Sequence, residues 1–235
     1  MNKAIAILMA AGLGTRMRPI TNEIPKPLVK VNGLSIIETM IMGLQQGGVE
    51  QIYIITGYLA HQVDILQSKY KNIHLIQNEE YMQINNISSI YAARNILGTA
   101  DCFICESDIY VMDYSIFNTM PLQSCYYGKW VSGYSDDWVF DIDENKRITK
   151  IHLQGCNQYN MTGVCFLKKR DAKTLALAIN NTYGTPGYET MFWDEVLSKN
   201  LDKISMGIKE VQSKQLMEID TIEELQQINN KWKEI

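Results

Sequence analysis

Apolar runs of strand length alternate with stretches of helical period from Lys3 to Asp108, and this alternation limits the fold more than any other feature. "KAIAILMA" is a continuous apolar run ended by glycine, and "IIETMIMGLQQGG" carries apolar residues at helical spacing until Gly47-Gly48 stops it. "QIYIITG" and "IHLIQN" read as short strands on either side of the helical stretch "LAHQVDILQSKY". "ISSIYAARNIL" reads as helix and "DCFICESDI" as a further buried strand. Strand and helix in such succession predict a doubly wound α/β sheet, mostly parallel, flanked by helices. Ligands in these sheets sit at the carboxyl ends of the strands. The residues to read are therefore 12–18, Thr56-Gly57-Tyr58, Gln77-Asn78 and Glu106-Ser107-Asp108.

The second half is less regular. "YYGKWVSGYS", "WVFDID", "ITKIHL" and "MTGVCFL" read as four strands joined by tight turns, antiparallel in character. Helical stretches "DAKTLALAINN" and "YETMFWDEVLSKN" follow, then a strand "ISMGIKEV" and a closing helix "IEELQQINNKW". No linker rich in Pro, Gly or Ser interrupts the chain, so residues 1–235 read as one domain. A formal net charge of −4 with no long basic run argues against a nucleic-acid surface. The apolar start is about eight residues long, short for a secretion signal, and no run is long enough to cross a bilayer. Cys102 and Cys105 form a CxxC without the second pair a zinc site needs, so they read as buried free thiols, and the expected compartment is the cytoplasm.

"AAGLGTRMRP" after the first strand admits three readings. A dinucleotide fingerprint would place a third glycine at Met17 and an acid at the end of the next strand, where Thr56 stands. A Walker A loop needs GxxxxGK and a hydroxyl residue, which the chain lacks. A loop whose amides wrap a triphosphate uses Gly12 and Gly14 for close approach and Arg16 as a forked donor. Lys26, held between Pro25 and Pro27, adds one ammonium in the same loop.

"LMAAGLGTRMRPITNEIPKPLVKVNG" resembles the signature of the nucleotidyltransferases that join a nucleoside triphosphate to a phosphorylated small molecule and release pyrophosphate. The family pattern is Leu-x-x-Gly-x-Gly-x-Arg, then Pro-Lys-x-Leu, then a turn glycine. Residues 11–16, Pro25-Lys26-Pro27-Leu28 and Gly33 match, while Leu8 is displaced by one residue. The resemblance implies a Rossmann-like nucleotidyltransferase fold, with residues 1–110 as the nucleotide-binding half and 111–235 as the acceptor half. It also implies that Arg16 and Lys26 are catalytic, and that Ala10, Ala11, Gly12, Gly14 and Thr15 join them around the nucleotide. Gln77, Asn86 and Ser88 are expected at the base or ribose. Mg²⁺ is the expected cofactor, held by Asp108 of "ESDI" and Asp220 of "MEIDTIEEL". Asp220 could equally serve as a helix N-terminal carboxylate near Thr221.

Several local strings, "ITGYLAHQ", "QNEEYMQINNISSIYAAR" and "FWDEVL", are similar to bacterial CTP:phosphocholine cytidylyltransferases. The expected partners are then CTP and phosphocholine, giving CDP-choline, with no nucleic acid and no membrane insertion. A trimethylammonium group donates no ordinary N–H hydrogen bond and is held by aromatic faces with carboxylates nearby. The second half also holds Trp130, Tyr134, Tyr159, Phe192, Asp136 and Glu195, and from this aromatic and acidic set Tyr110, Trp138, Tyr188, Trp193, Asp194 and Glu218 are the candidates for that pocket. A 2-aminoethylphosphonate or phosphoethanolamine acceptor would share these features, because a primary ammonium also suits carboxylates. A sugar 1-phosphate acceptor would prefer hydrogen-bonding side chains, and a nucleotide-binding regulator is the reading without catalysis.

Overall fold

A computed structural model of the chain describes residues 4–231, so Lys3 and Trp232, at the ends of the expected first strand and last helix, lie outside the described residues. In the first half the strands are Ala4–Ala10 (β1), Lys30–Val31 (β2), Leu34–Ser35 (β3), Gln51–Thr56 (β4), Ile73–Gln77 (β5), Asp101–Glu106 (β6) and Ile109–Val111 (β7). In the second half they are Cys125–Ile142 (β8), Ile148–Leu167 (β9), Gly207–Glu210 (β10) and Leu216–Glu218 (β11). The helices are Ile36–Gln46 (α1), Ile65–Lys69 (α2), Ile87–Ala92 (α3), Lys169–Thr182 (α4), Trp193–Ser198 (α5) and Ile222–Lys231 (α6). Among the described residues, seven strands form one sheet in the order β10-β8-β9-β6-β1-β4-β5. All neighbours pair in parallel except β9, which runs against both β6 and β8.

The continuous apolar run of β1 is explained by burial on both faces. Ile5 and Ile7 enter the core under α3, α4 and α5, while Ala6, Leu8 and Ala10 enter the core under α1. Cys102 and Ile104 on β6 face the first core, and Phe103 and Cys105 the second. Each fully buried aliphatic side chain of this kind contributes about 2 kcal/mol. Cys102 and Cys105 are free and buried, and burial pushes both thiols well above their ordinary pKa. The chain leaves β1 on one side to form β4 and returns on the other to form β6, so β1 is the topological switch point, where a cleft is expected.

Helix α1 starts on a reciprocal cap: the Ser35 amide and hydroxyl donate to Glu38 Oε2 at 3.0 and 2.7 Å. Lys69 and the Tyr70 hydroxyl occupy the other Glu38 oxygen. The expected helix over "LAHQVDILQSKY" breaks into a 3-10 turn, Ala60–Gln62, and the short α2. Leu59 is left-handed at φ 50°, and the Gln62 side chain donates through Nε2 to Glu23 O at 2.7 Å, so docking on the first loop overrides helical period. "YETMFWDEVLSKN" likewise divides at Phe192, whose extended backbone starts α5.

The four short strands expected in the second half are two long ones. β8 and β9 form one hairpin of 18 and 20 residues that bends through several register shifts. It doubles back far enough that Val139 and Phe140 pair once with His152 and Ile151 and again with Asn160 and Tyr159. Bulges permit such a bend by inserting unpaired residues into one strand. The curl delivers Val139, Phe140, Ile148 and Ile151 to the core instead of solvent. Among the described residues, no helix is long and apolar enough to cross a membrane.

Candidate active site

The loop after β1 is anchored from below and open above. Met17, where a dinucleotide loop would carry glycine, is fully buried in a small core with Val31, Tyr110 and Ile219. Gly14 is left-handed at φ 60°, and a Cβ there would lie 2.8 Å from Lys26 Cβ and 3.1 Å from Thr21 Cγ2. The Thr21 hydroxyl donates to Gly14 O at 2.7 Å. Gly14 is therefore required for packing the two ends of the loop together, which seats Lys26 beneath it. A Cβ on Gly12 would meet nothing within 4 Å, so its backbone faces open space.

Two carboxylates far apart in sequence meet at Lys26. The short ladder β7–β11 pairs Ile109 with Glu218, and the Ile219 amide donates to Asp108 O at 3.0 Å. This sets Asp108 beside Asp220. Lys26 Nζ donates to Asp108 Oδ2 at 2.8 Å and to Asp220 Oδ1 at 2.5 Å. Arg16, largely exposed, reaches Asp220 Oδ1 at 2.7 Å. Capping of α6 is done by other groups: Glu224 Oε2 accepts from the Asp220 and Thr221 amides at 2.8 and 2.9 Å, and Thr221 Oγ1 accepts from the Glu224 amide. The Asp220 carboxylate is thereby left free for the site.

Burial opposes the Lys26 charge, but Asp108 and Asp220 outweigh it and hold the ammonium pKa above its ordinary value. Asp220 is held below the usual carboxylate value, because Glu218, Lys26 and Arg16 overcome its own desolvation. Glu218 stands in the same group: oxygens of Asp108, Glu218 and Asp220 all lie within 4.8 Å of one another. The surrounding walls and its two acidic neighbours raise the Glu218 carboxyl. Asp108 Oδ1 is buried without a partner. Three clustered oxygen donors with one unpaired suit a hard divalent cation such as Mg²⁺.

These groups form the floor of a cleft of about 820 Å³ at the carboxyl ends of β1 and β6. One wall belongs to the start of α3. Asn85 donates its side-chain amide to Thr190 O at 3.0 Å, and Asn86 Oδ1 accepts the Trp193 amide at 2.9 Å. Both asparagines line the cleft and also hold the segment that carries Phe192 and Asp194. The opposite wall comes from the bulged part of β8, which supplies Asp136, Asp137 and Trp138. Trp138 and Phe192 meet edge to face at 6.0 Å. Asp194 is buried, accepts the Tyr126 hydroxyl, and is raised by burial to a pKa of about 7. Glu106, desolvated and facing Asp108, Asp194 and Glu218, is raised well above the carboxylate range.

Of the residues expected from sequence, Ala10, Ala11, Gly12, Gly14, Thr15, Arg16, Lys26, Asn86, Asp108, Trp138, Asp194, Glu218 and Asp220 line the cleft. Gln77, Ser88, Tyr110, Tyr188 and Trp193 do not. Gln77 is exposed at the end of the edge strand β5, two strands away from β1. Ser88 is buried, accepts the Asn78 amide at 2.8 Å and donates to Asn85 O at 2.8 Å. Tyr110 belongs to the small core with Met17, Trp193 is 2% exposed in the main core, and Tyr188 packs on Tyr183 at 4.7 Å. Glu106, read from sequence as a strand-end residue, and Phe192 and Asp136, read among the aromatic and acidic residues of the second half, also line the cleft, and Ser89 and Asp137 line it with no role expected from sequence. Ser89 follows Asn85 and Asn86 by one helical turn, a spacing that marks one face of α3. Glu106 ends β6 beside Asp108, whereas Asp137 carries no sequence signal of its own, because the bulge that brings it to the cleft depends on the partner strand.

The family model described as nucleotidyl transferase matches residues 5–122, which span the loop, Lys26 and Asp108. A 2-aminoethylphosphonate cytidylyltransferase of Lancefieldella rimae is 43% identical over 95% of this chain and 91% of its own length. A choline-phosphate cytidylyltransferase of Streptococcus pneumoniae is 28% identical over 95% and 96%. The solved structure of CTP:phosphocholine cytidylyltransferase (LicC) from Streptococcus pneumoniae superposes with a TM-score of 0.90 at 27% identity, covering 98% of this chain and 99% of that one. The family model and the relative at 43% identity together show that the chain is an enzyme that belongs to the nucleotidyl transferase family.

Proposed function

We propose that this enzyme is a cytidylyltransferase that moves CMP from CTP to a small phosphonate or phosphate ester carrying an amine, with 2-aminoethylphosphonate as its first acceptor. The observation that carries the reading is the chemistry of the cleft beyond Asp108. Glu106, Asp136, Asp137 and Asp194 line it, against two aromatic side chains, Trp138 and Phe192. A primary ammonium has three N–H donors and needs acceptors, which carboxylates provide. The 43% identical relative named for that acceptor supports the same choice. Phosphocholine is the second reading, favoured by the edge-to-face pair of Trp138 and Phe192, which offers a trimethylammonium group apolar and π surface.

The reaction asks for alignment and charge neutralisation more than covalent help. An oxygen of the acceptor's phosphonate attacks the α-phosphorus of CTP in line. The bond from that phosphorus to the bridging oxygen of the β-phosphate breaks, and pyrophosphate leaves. Backbone at Gly12 leaves room for the triphosphate, and Arg16, exposed at the mouth, neutralises its β- and γ-phosphates. Lys26 lies under the loop and carries its charge to the α-phosphate. Asp108, Asp220 and Glu218 would hold Mg²⁺, which supplies Lewis-acid polarisation of the reacting phosphates when bound. Because Lys26 bridges both aspartates, release of that bridge frees the ammonium for phosphate.

The test is pyrophosphate release from CTP and Mg²⁺ with 2-aminoethylphosphonate, phosphocholine and glucose 1-phosphate offered separately. A higher kcat/KM for 2-aminoethylphosphonate supports the first reading. Preference for phosphocholine replaces it with the second, and turnover of the sugar phosphate alone overturns both.

A further inference from the structure

Asn160 stands where the β8–β9 hairpin touches itself, between Lys129 on one side and Val139 on the other. It is 6% exposed. Its side-chain amide donates to Ser135 Oγ at 2.7 Å and to Asp137 Oδ2 at 3.4 Å. Ser135 Oγ in turn accepts the Asp137 amide at 3.3 Å, and Asp137 Oδ1 accepts the Trp138 amide at 2.7 Å. The register shifts between Ser135 and Trp138, so Asp136 and Asp137 are the inserted residues of a bulge, opposed by Gln154 at φ 66°. Those residues and Trp138 form one wall of the cleft.

Asn160 also carries a cost. Its Oδ1 is buried with no partner. An unsatisfied buried acceptor costs about 1–3 kcal/mol, which Val, Leu or Thr at a β-strand position would avoid. The Asp137 carboxylate fixes which way the amide points, since only the NH₂ end can face it. A residue retained at that cost is explained by what its two donated bonds hold in place.

We infer that Asn160 is a positioning residue for the acceptor: it pins the β8 bulge so that Asp136, Asp137 and Trp138 present a fixed surface to the substrate amine. The inference rests on the reading of this wall as the acceptor's. It touches no nucleotide group, since the loop after β1, Lys26 and the paired aspartates belong to other elements. Asn160→Asp is nearly isosteric and turns the donor into an acceptor facing Asp137. Ser135→Ala removes the other end of the same bond from a half-buried position and leaves the core intact.

The experiment measures KM for the acceptor, KM for CTP and kcat by pyrophosphate release, using whichever acceptor the wild type turns over. Acceptor KM is expected to rise about tenfold in Asn160→Asp and about threefold in Ser135→Ala, the size of one lost hydrogen bond or part of one. CTP KM and kcat at saturating acceptor are expected to stay near wild type in both. Unchanged acceptor KM in Ser135→Ala together with a folded, unaffected Asn160→Asp overturns the inference, as does a CTP KM that rises in step. Failure of the functional reading shows elsewhere, in which acceptor the wild type uses, and is thus separable from the outcome for these variants.

Discussion

The two walls of the cleft are made in different ways. The wall proposed for the nucleotide lies on short connections at the switch point of a parallel sheet, and its charges are already matched: Lys26 and Arg16 against Asp108 and Asp220. The wall proposed for the acceptor lies on a bulge, a curled hairpin and the segment ahead of α5, and it gathers Asp136, Asp137 and Asp194, with Glu106 at its border beside Lys26. The first arrangement suits a polyanion that brings its own charge to displace internal pairs. The second suits a cation. Short connections on a packed sheet hold their side chains rigidly, whereas a bulged strand is re-aimed by a single inserted residue.

If the walls are independent, substitutions should divide their effects between CTP and acceptor. The largest effect is expected from Lys26→Ala, with kcat falling about 10³-fold, the scale of a lost preorganised cation at a phosphoryl group. Its removal leaves Asp108 and Asp220 facing each other, so melting in the absence of metal should also be lower, as differential scanning fluorimetry would show. Asp108→Asn should lower kcat about 10²-fold and flatten the Mg²⁺ titration of activity; an unchanged titration would remove Asp108 from the metal.

On the acceptor wall, Asp194→Asn should lower kcat/KM for an amine acceptor about tenfold with CTP KM unchanged. Its pKa of about 7 gives a sign: the carboxylate that attracts the ammonium is absent at lower pH, so wild-type kcat/KM rises through about 7 and the variant loses that limb. Stability runs the other way. The folded chain holds this proton more tightly than the unfolded one, whose ordinary value is 3.8, so its contribution is full below that pH and lost as pH rises through about 7. Trp138→Ala should cost phosphocholine about tenfold in kcat/KM, the scale of a desolvated cation–π contact, and cost 2-aminoethylphosphonate less. Equal losses would mean that Trp138 packs without reading the amine.

The smallest kinetic effect belongs outside both walls. Glu38→Gln should leave turnover unchanged and reduce stability by about 2 kcal/mol, a charged hydrogen-bonding group removed from a helix start. Contacts from Ser35, Lys69 and Tyr70 overcome burial and hold the Glu38 carboxyl at about 2. The wild-type advantage is therefore present above the ordinary value of 4.5 and lost as pH falls toward about 2 in acid unfolding.

The strand–helix succession through β6, the parallel order it implies and the place of the glycine loop, Lys26 and Asp108 in the strand-end cleft were legible because each depends on neighbours in sequence. The role of Gly14 was only half legible: it reads as a phosphate glycine, yet its left-handed backbone and missing Cβ serve contact with Lys26 and Thr21. Asp220 needed the structure, since only the cap made by Thr221 and Glu224 shows its carboxylate is free. Aromatic residues misled in part. Tyr110 and Trp193 fill cores, while Trp138 and Phe192 reach the cleft, and all four look alike in a pattern of apolar spacing.

By itself, then, the sequence determined a mostly parallel α/β sheet with a glycine- and arginine-bearing loop at its switch point, because period, turn glycines and charged residues act over a few positions. The tertiary structure alone decided the wall proposed for the acceptor. Four expected strands fused into one doubled hairpin, and the bulge on β8 brings Asp136 and Asp137 to the cleft, with Ser135 and Asp137 bonded to Asn160 across 25 and 23 positions. A bulge is a mismatch between two strands, and neither strand records it alone.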